Sequence, residues 1–145
     1  LKYGRTVHSL LMAMTHFQTT YHFVSPPELR MPEEYKMFLK ENKLDYHEHT
    51  DFTDIISDAD IIYMTRIQRE RFSDPMEYEK TKNSYVLEKS MLEDTRDNLR
   101  ILHPLPRVNE IDEDVDDSTK AYYFPQALNG VYTRMAIMSS ILGLQ

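Results

Sequence analysis

Two arginines and a glutamine stand at positions where an α/β sheet binds small anions. Residues 60–64 form a nearly continuous apolar run, typical of a strand buried on both faces, and Arg66 and Gln68 follow its carboxyl end. Ligands of such sheets bind outside the carboxyl ends of the strands. Arg5 lies at the N-terminal end of a predicted helix, where the helix dipole favours a bound anion. Two arginines converging from separate elements would suit a dicarboxylate, because each guanidinium can form a planar pair of charge-assisted hydrogen bonds.

Both arginines also have ordinary interpretations. Arg5 could be a solvated surface side chain, the commoner situation for an isolated arginine near a chain end. Arg66 could form a structural ion pair, since such pairs are as frequent as ligand contacts at a position of this kind. The residue types alone leave both alternatives open.

A second candidate segment follows the last predicted strand, at residues 99–103. Pro104 and Pro106 cannot continue a β-ladder, and they flank Leu105 with a backbone of restricted dihedral angles. Carbonyl groups held in this way could accept hydrogen bonds from a substrate amide, or the segment could simply form a turn. From composition alone the turn is favoured.

A pair of histidines is a weaker candidate. His47 and His49 would lie on one face of a strand, a spacing found in some metal sites, but Glu48 points to the other face and no third ligand is evident. We therefore interpret them as partly exposed strand residues and predict no metal site.

The composition indicates one folded domain and excludes several classes of function. The chain has 145 residues, of which 41% are hydrophobic and 28% charged, with a formal net charge of -7. An acidic chain of this kind argues against nucleic acid as the main partner, because phosphate binding needs a basic surface. The absence of cysteine excludes disulfides, thiolate metal sites and a cysteine nucleophile.

Other absences narrow the prediction further. The 3 glycines form neither of the usual nucleotide-phosphate loops, which disfavours a plain nucleotide-binding α/β domain. No apolar run is long enough to cross a bilayer, and the first residues do not resemble a signal peptide. We therefore expect no membrane partner and a cytoplasmic location.

The pattern of apolar residues predicts alternating helices and strands. Helices are predicted at residues 7–17, from residue 32, from residue 51, at 89–95 and at 126–144, and strands at 21–24, 44–49, 60–64, 85–87 and 99–103. Residues 66–82 are predicted to form a long loop with one helical turn near Glu77, and residues 108–120 an acidic loop. This alternation predicts an α/β fold: a three-layer α/β/α domain of Rossmann-like type with a mainly parallel sheet.

Four segments together resemble the aspartate-binding half of aspartate carbamoyltransferases. They run through nearly the whole chain in the family's order: residues 1–10 (LKYGRTVHSL), 63–71 (YMTRIQRER), 103–111 (HPLPRVNEI) and 123–130 (YFxQAxNG). The sibling ornithine carbamoyltransferases carry a cysteine in the loop that matches residues 103–106. Its absence here, together with Arg66 and Gln68, favours aspartate.

The resemblance implies roles for individual residues. Arg5 and Arg66 would each bind one carboxylate of L-aspartate, with Gln68 assisting Arg66. Leu105 and Pro106 would hold the amide of the carbamoyl group through their backbone carbonyls, with a cis peptide bond between them.

Four further residues are implied to control closure of the loop that follows Arg66, through ion pairs and hydrogen bonds. These are Lys2, Tyr3, Glu77 and Tyr78.

The resemblance also implies a reaction. These enzymes transfer the carbamoyl group of carbamoyl phosphate to the amine of L-aspartate, giving N-carbamoyl-L-aspartate and phosphate in de novo pyrimidine biosynthesis. They use no metal or organic cofactor. The expected partners are therefore L-aspartate and carbamoyl phosphate, in a full-length enzyme that is at least a homotrimer. Association with regulatory chains is left open.

The sequence departs from the family by lacking its carbamoyl-phosphate domain. That domain carries the Ser-Thr-Arg-Thr phosphate motif and the catalytic histidine, so we expect no catalytic residue in this chain and no turnover by it alone. We predict that residues 1–125 form the aspartate-binding domain without its first strand. Residues 126–145 would form a helix that packs on the absent domain. The alternative is a non-catalytic amino-acid-binding or regulatory module with the same fold.

Overall fold

The computed structural model describes residues 1–53, 55–82 and 85–144, which form an α/β fold as predicted. Four α-helices and four strands lie in these residues: α1 Arg5–Met14, β1 Tyr21–Val24, α2 Glu33–Glu41, β2 Tyr46–His49, β3 Ile61–Tyr63, α3 Pro75–Thr81, β4 Arg100–Leu102 and α4 Tyr123–Leu142.

The strands pair in parallel, but in two separate pairs. In one, β1 lies beside β2 with Tyr21 opposite Tyr46; in the other, β3 lies beside β4 with Ile61 opposite Arg100. The parallel pairing confirms the prediction, whereas the described strands form two sheets instead of one. A cavity of about 1100 Å³, lined by both β1 and β3, lies between the two pairs.

Each strand pair packs on its own hydrophobic core. Among the described residues, the cluster beside β1 contains Leu11 of α1, Phe23 of β1 and Leu39 of α2, and the cluster beside β4 contains Leu99, Ile101 and seven further buried residues. Helices therefore position β1 and β2 by burying one apolar stripe each, as expected for amphipathic helices on a sheet.

Helices α2 and α3 begin where local chemistry favours a helix start. Pro32 precedes α2, and Glu33 and Glu34 place negative charge in its first turn. The Asp74 carboxylate accepts a hydrogen bond from the Met76 N–H at 2.8 Å, and Pro75 occupies the first turn of α3. The helical turn predicted near Glu77 is thus a seven-residue helix.

Three predicted elements are different in the structure. The strand at 85–87 is wrong: only a single bridge joins Leu87 to Ile111. The helix at 89–95 is a 3₁₀ turn at Lys89–Leu92, and the Lys120 ammonium donates to the carbonyls of Leu92 and Thr95 that follow it. The helix from residue 51 is a 3₁₀ turn at Ile56–Asp58, and position 54 within that segment lies outside the described residues.

Helix α4 extends one apolar face into solvent. Its first residue, Tyr123, is fully buried, whereas Val131, Met135, Met138 and Leu142 are all exposed. In the part of the chain that the structure describes, no helix combines the length and hydropathy needed to span a membrane.

Candidate functional site

The residues predicted to bind substrate line one cavity. Arg5, Arg66, Gln68, Leu105 and Pro106 all contribute to the lining of the cavity between β1 and β3. They reach it from three places: the start of α1, the segment after β3 and the segment after β4. The carboxyl ends of β3 and β4 bring two of these segments together, as expected for a parallel pair, and the start of α1 reaches the cavity from the other strand pair.

Arg5 occupies the first position of α1. Its side chain is exposed, and the first turn of the helix contains no acidic residue that would neutralise the positive end of the helix dipole. An anion placed there would meet both the guanidinium and the helix N-terminus.

The Arg66 guanidinium binds the carboxylate of Glu70, four residues along the chain. Its Nη2 lies 2.5 Å from Oε1 of Glu70, and its Nη1 lies 3.4 Å from Oε2 of the same side chain. A hydrogen bond from its own backbone N–H, and then the Arg66 guanidinium, lower the pKa of Glu70. The guanidinium therefore already donates to a carboxylate, the group that a dicarboxylate substrate would present to it.

Residues 104–106, the proline segment, are held in place by a buried histidine, His103. The Leu105–Pro106 bond is cis, which confirms that prediction, and Leu105 has a positive φ of 51°. The Leu105 N–H donates to Nδ1 of His103 at 2.8 Å, so Nδ1 carries no proton and Nε2 is the protonated nitrogen. Nε2 lies 2.7 Å from Oε1 of Glu110, to which it donates.

Glu110 completes this support. Burial raises its pKa, but hydrogen bonds from His103 and from the backbone N–H groups of Glu110 and Val108 outweigh burial and lower the pKa below its usual value. The carboxylate is therefore ionised at neutral pH, with acceptor oxygens for several donors at once. The two hydrogen bonds, from Leu105 to His103 and from His103 to Glu110, fix the direction of the Leu105 backbone.

A second network joins the proline segment to α4. The Arg107 guanidinium makes a two-point contact with Asp116, at 2.5 and 2.6 Å, and the Tyr123 hydroxyl also donates to Asp116. The Gln126 side-chain oxygen accepts from the His103 N–H at 2.9 Å. Both ends of the segment are thus anchored to the first turns of α4.

The residues implied in loop closure are only partly brought together. The Tyr3 and Phe72 rings meet edge to face with centroids 5.8 Å apart, and Phe72 meets Tyr78 in the same way at 5.7 Å. The Lys2 ammonium lies 5.3 Å from the centroid of the Tyr3 ring. Glu77 is exposed and does not line the cavity.

Sequence reasoning missed three residues that support the site: Phe72, Glu110 and Gln126. Each acts through a neighbour that the sequence did single out. No local pattern reveals these roles, because the contacts join residues that are 6 to 69 positions apart. Across residues 1–53, 55–82 and 85–144, no group of three or more His, Cys, Asp or Glu side chains has the spacing of a metal site.

Comparisons with known proteins agree in family. The sequence profile described as "Aspartate/ornithine carbamoyltransferase, Asp/Orn binding domain" matches residues 2–141. The aspartate carbamoyltransferase catalytic subunit of Bacteroides fragilis is 68% identical over 99% of this chain, and the match covers 47% of that protein. The chain spans about half the length of the curated relatives it matches.

Solved structures show the same similarity. The catalytic subunit of M. jannaschii aspartate transcarbamoylase superimposes with a TM-score of 0.89 at 46% identity, covering 100% of this chain and 48% of that chain. Aspartate transcarbamoylase from Trypanosoma cruzi, in complex with carbamoyl aspartate and phosphate, gives a TM-score of 0.85 at 30% identity, covering 95% of this chain and 46% of that chain. This chain therefore belongs to the aspartate/ornithine carbamoyltransferase family and matches its Asp/Orn-binding domain.

Proposed function

We propose that the chain is the aspartate-binding part of an aspartate carbamoyltransferase. The full enzyme would transfer the carbamoyl group of carbamoyl phosphate to L-aspartate in de novo pyrimidine biosynthesis, in the cytoplasm. The observation that carries the proposal is the shared cavity, lined by Arg5, Arg66, Gln68 and the proline segment. The names of the relatives support the choice of aspartate over ornithine.

In the proposed reaction, this chain orients the nucleophile. Arg5 and Arg66 would bind the two carboxylates of aspartate, which leaves the amine free to attack the carbonyl carbon of carbamoyl phosphate. The carbonyls of Leu105 and Pro106 would accept hydrogen bonds from the carbamoyl amide. The rate gain from this half would come from holding the reactants in a reactive orientation, with phosphate leaving from the tetrahedral species.

Glu70 would act as a stand-in carboxylate. In the structure it forms an ion pair with the Arg66 guanidinium, so a substrate carboxylate must displace it. Because Glu70 is exposed, it can turn into solvent when the substrate arrives, and the exchange would couple substrate binding to movement of the loop.

We propose the domain division on the same basis. Residues 1–125 would be the aspartate-binding domain without its first strand, and the open edges of β1 and β3 beside the cavity support a place for that strand. Residues 126–145, of which residue 145 lies outside the described residues, would pack on the carbamoyl-phosphate domain. The exposed apolar face of α4 supports this. The full enzyme would be at least a homotrimer.

Carbamoyl transfer tests the proposal. This sequence is joined to the N-terminal half of the Bacteroides fragilis relative, and N-carbamoyl-L-aspartate formation from carbamoyl phosphate is measured, with L-ornithine as the competing acceptor. We expect turnover with aspartate alone, and none from the 145-residue chain without the other half. Turnover by the isolated chain, or a preference for ornithine, would contradict the proposal.

An arginine substitution tests the site. Arg66→Ala is expected to lower kcat/KM for aspartate by roughly 10- to 100-fold, as for the loss of a charge-assisted contact. Arg69→Ala is the matched control, because Arg69 is exposed in the same segment and does not line the cavity. Equal activity of the two variants would show that Arg66 does not bind the substrate.

The chimera also tests the alternative function. If it folds and binds aspartate but transfers no carbamoyl group, the result would support the non-catalytic module.

A further inference from the structure

His103 is buried at the cavity wall with all three of its nitrogens in hydrogen bonds. The residue is 2% exposed and contributes to the cavity lining. Its backbone N–H donates to the side-chain oxygen of Gln126, Nδ1 accepts from the Leu105 N–H, and Nε2 donates to Glu110. Because these partners fix the backbone and both ring nitrogens, the ring has one orientation and one tautomer.

The contact with Leu105 bears on the shape of the cavity wall. Leu105 has a positive φ of 51°, in the left-handed region that residues other than glycine uncommonly adopt. Its N–H donates to Nδ1 of a side chain two positions earlier, which is the arrangement by which asparagine and aspartate side chains stabilise a turn. Without this acceptor, Leu105 could relax to a negative φ, and that rotation would turn its carbonyl.

Glu110 keeps Nδ1 available as an acceptor. Its carboxylate lies 2.7 Å from Nε2 of His103, so the ring proton resides on that nitrogen. The same carboxylate accepts from the backbone N–H groups of Val108 and Asn109, each at 3.2 Å. It therefore joins the residue before the proline segment to the residues that follow it, and the ring presents the lone pair of Nδ1 to Leu105.

We propose that His103 is a positioning residue for carbamoyl transfer, which directs the Leu105 carbonyl at the carbamoyl amide by accepting the Leu105 N–H. The ring touches no substrate atom in this role. The inference rests on the proposed function, in which that carbonyl accepts from the carbamoyl amide. It makes the affinity for carbamoyl phosphate depend on a nitrogen that contacts neither substrate.

Two substitutions separate this role from packing. His103→Asn places Oδ1 where Nδ1 lies and keeps an acceptor for Leu105, but its side chain ends one bond short of Nε2 and loses the contact with Glu110. His103→Leu loses both contacts. The variants are made in the protein joined to the N-terminal half of the Bacteroides fragilis relative, and KM is measured for each substrate.

The two variants should differ in one kinetic constant. His103→Leu should raise KM for carbamoyl phosphate roughly tenfold, as for the loss of one hydrogen bond, with KM for aspartate changed by less than about threefold. His103→Asn should keep both KM values within about threefold of the unsubstituted protein.

An exposed histidine provides the matched controls. His16 does not line the cavity, so His16→Leu and His16→Asn should leave each KM within about twofold. Circular dichroism and urea midpoints establish that each variant folds. If His103→Leu does not fold, it is replaced by His103→Met, which also lacks a nitrogen acceptor.

The outcomes separate this inference from the proposed function. If the joined protein without substitutions transfers no carbamoyl group to aspartate, the proposed function fails and this inference fails with it. If that protein is active, an unchanged KM for carbamoyl phosphate in His103→Leu, or an equal rise in His103→Asn, overturns the positioning role alone. A fall in kcat with both KM values unchanged would assign His103 to stability and overturn it as well.

Discussion

At the scale of single residues, the site depends on side chains that orient other groups. Arg66 contacts a carboxylate directly, but the Leu105 backbone is held through His103, and His103 is held through Glu110. Because Nδ1 of His103 must accept from Leu105, only the Nε2-protonated ring fits between its two partners. The direction of the Leu105 carbonyl thus depends on a residue that has no place in the proposed substrate contacts.

Glu110→Ala should destabilise the chain. The change leaves the buried His103 Nε2–H without its carboxylate acceptor, at a cost of about 1–3 kcal/mol, and also removes the acceptor of the Val108 N–H. The free energy of unfolding in urea measures the loss. Glu113→Ala is the control, because Glu113 is exposed in the following segment, and it should stay within about 0.5 kcal/mol of the unchanged chain. Equal stability of both variants would mean that Glu110 is not structural.

At the scale of elements, the ring of Phe72 links the start of the chain to α3. It meets Tyr3 on one side and Tyr78 of α3 on the other. The Asp74 cap gives α3 a defined first turn, so the Tyr78 ring is presented from a short helix and not from an irregular loop. Movement of the loop after Arg66 would therefore have to carry α3 with it or break these ring contacts.

A double-mutant cycle of Tyr3→Leu and Phe72→Leu should reveal coupling. Edge-to-face aromatic pairs contribute about 0.5–1.5 kcal/mol beyond the area that they bury, so we expect a coupling free energy towards the lower end for this partly exposed pair. Urea unfolding of the four proteins gives the value. The control cycle combines Tyr3→Leu with Phe124→Leu. Its effects should be additive, because the Phe124 ring pairs with Tyr123 and not with Tyr3. Additivity in both cycles would show that the Tyr3 contact contributes nothing.

At the scale of the whole molecule, two carboxylates give stability a pH dependence: Glu110 supports the proline segment through His103, and Asp116 joins Arg107 to Tyr123 of α4. The Arg107 guanidinium, and then the Tyr123 hydroxyl, lower the pKa of Asp116 against the effect of burial, and the pKa of Glu110 is also lowered. A group with a lowered folded-state pKa binds fewer protons in the folded chain than in the unfolded one. Its stabilisation is present above the unfolded pKa, about 4.3 for Glu and 3.9 for Asp, and is lost as the pH falls through the folded pKa.

The free energy of unfolding should therefore fall as the pH decreases from about 5 towards 3. Urea unfolding at pH 7, 5, 4 and 3 measures the change, and the double variant Glu110→Gln with Asp116→Asn should show a shallower fall. The matched control is Glu113→Gln with Asp117→Asn, which changes two exposed carboxylates of the same stretch. A slope that is the same in all three proteins would assign the acid sensitivity to other carboxylates.

Much of the fold and most of the candidate site follow from local patterns. Apolar periodicity predicted α1, β1, α2 and β2 nearly at their observed bounds, because amphipathic helices and short strands carry their own signal. Residues 85–87 misled the prediction, since three β-prone residues pair only at Leu87 once the chain is folded. Glu110 was missed because its partner, His103, lies seven residues away with two prolines between them.

The sequence by itself determined most of the elements, the family resemblance and five of the residues that line the cavity, because each depends on residue type and short-range spacing. Only the tertiary structure decided that the strands form two parallel pairs with a cavity between them, that Glu110 buries its carboxylate under the proline segment, and that His22 meets His49. Strand register and burial join residues far apart in the chain. No local pattern encodes that pairing, and packing of the whole chain determines it.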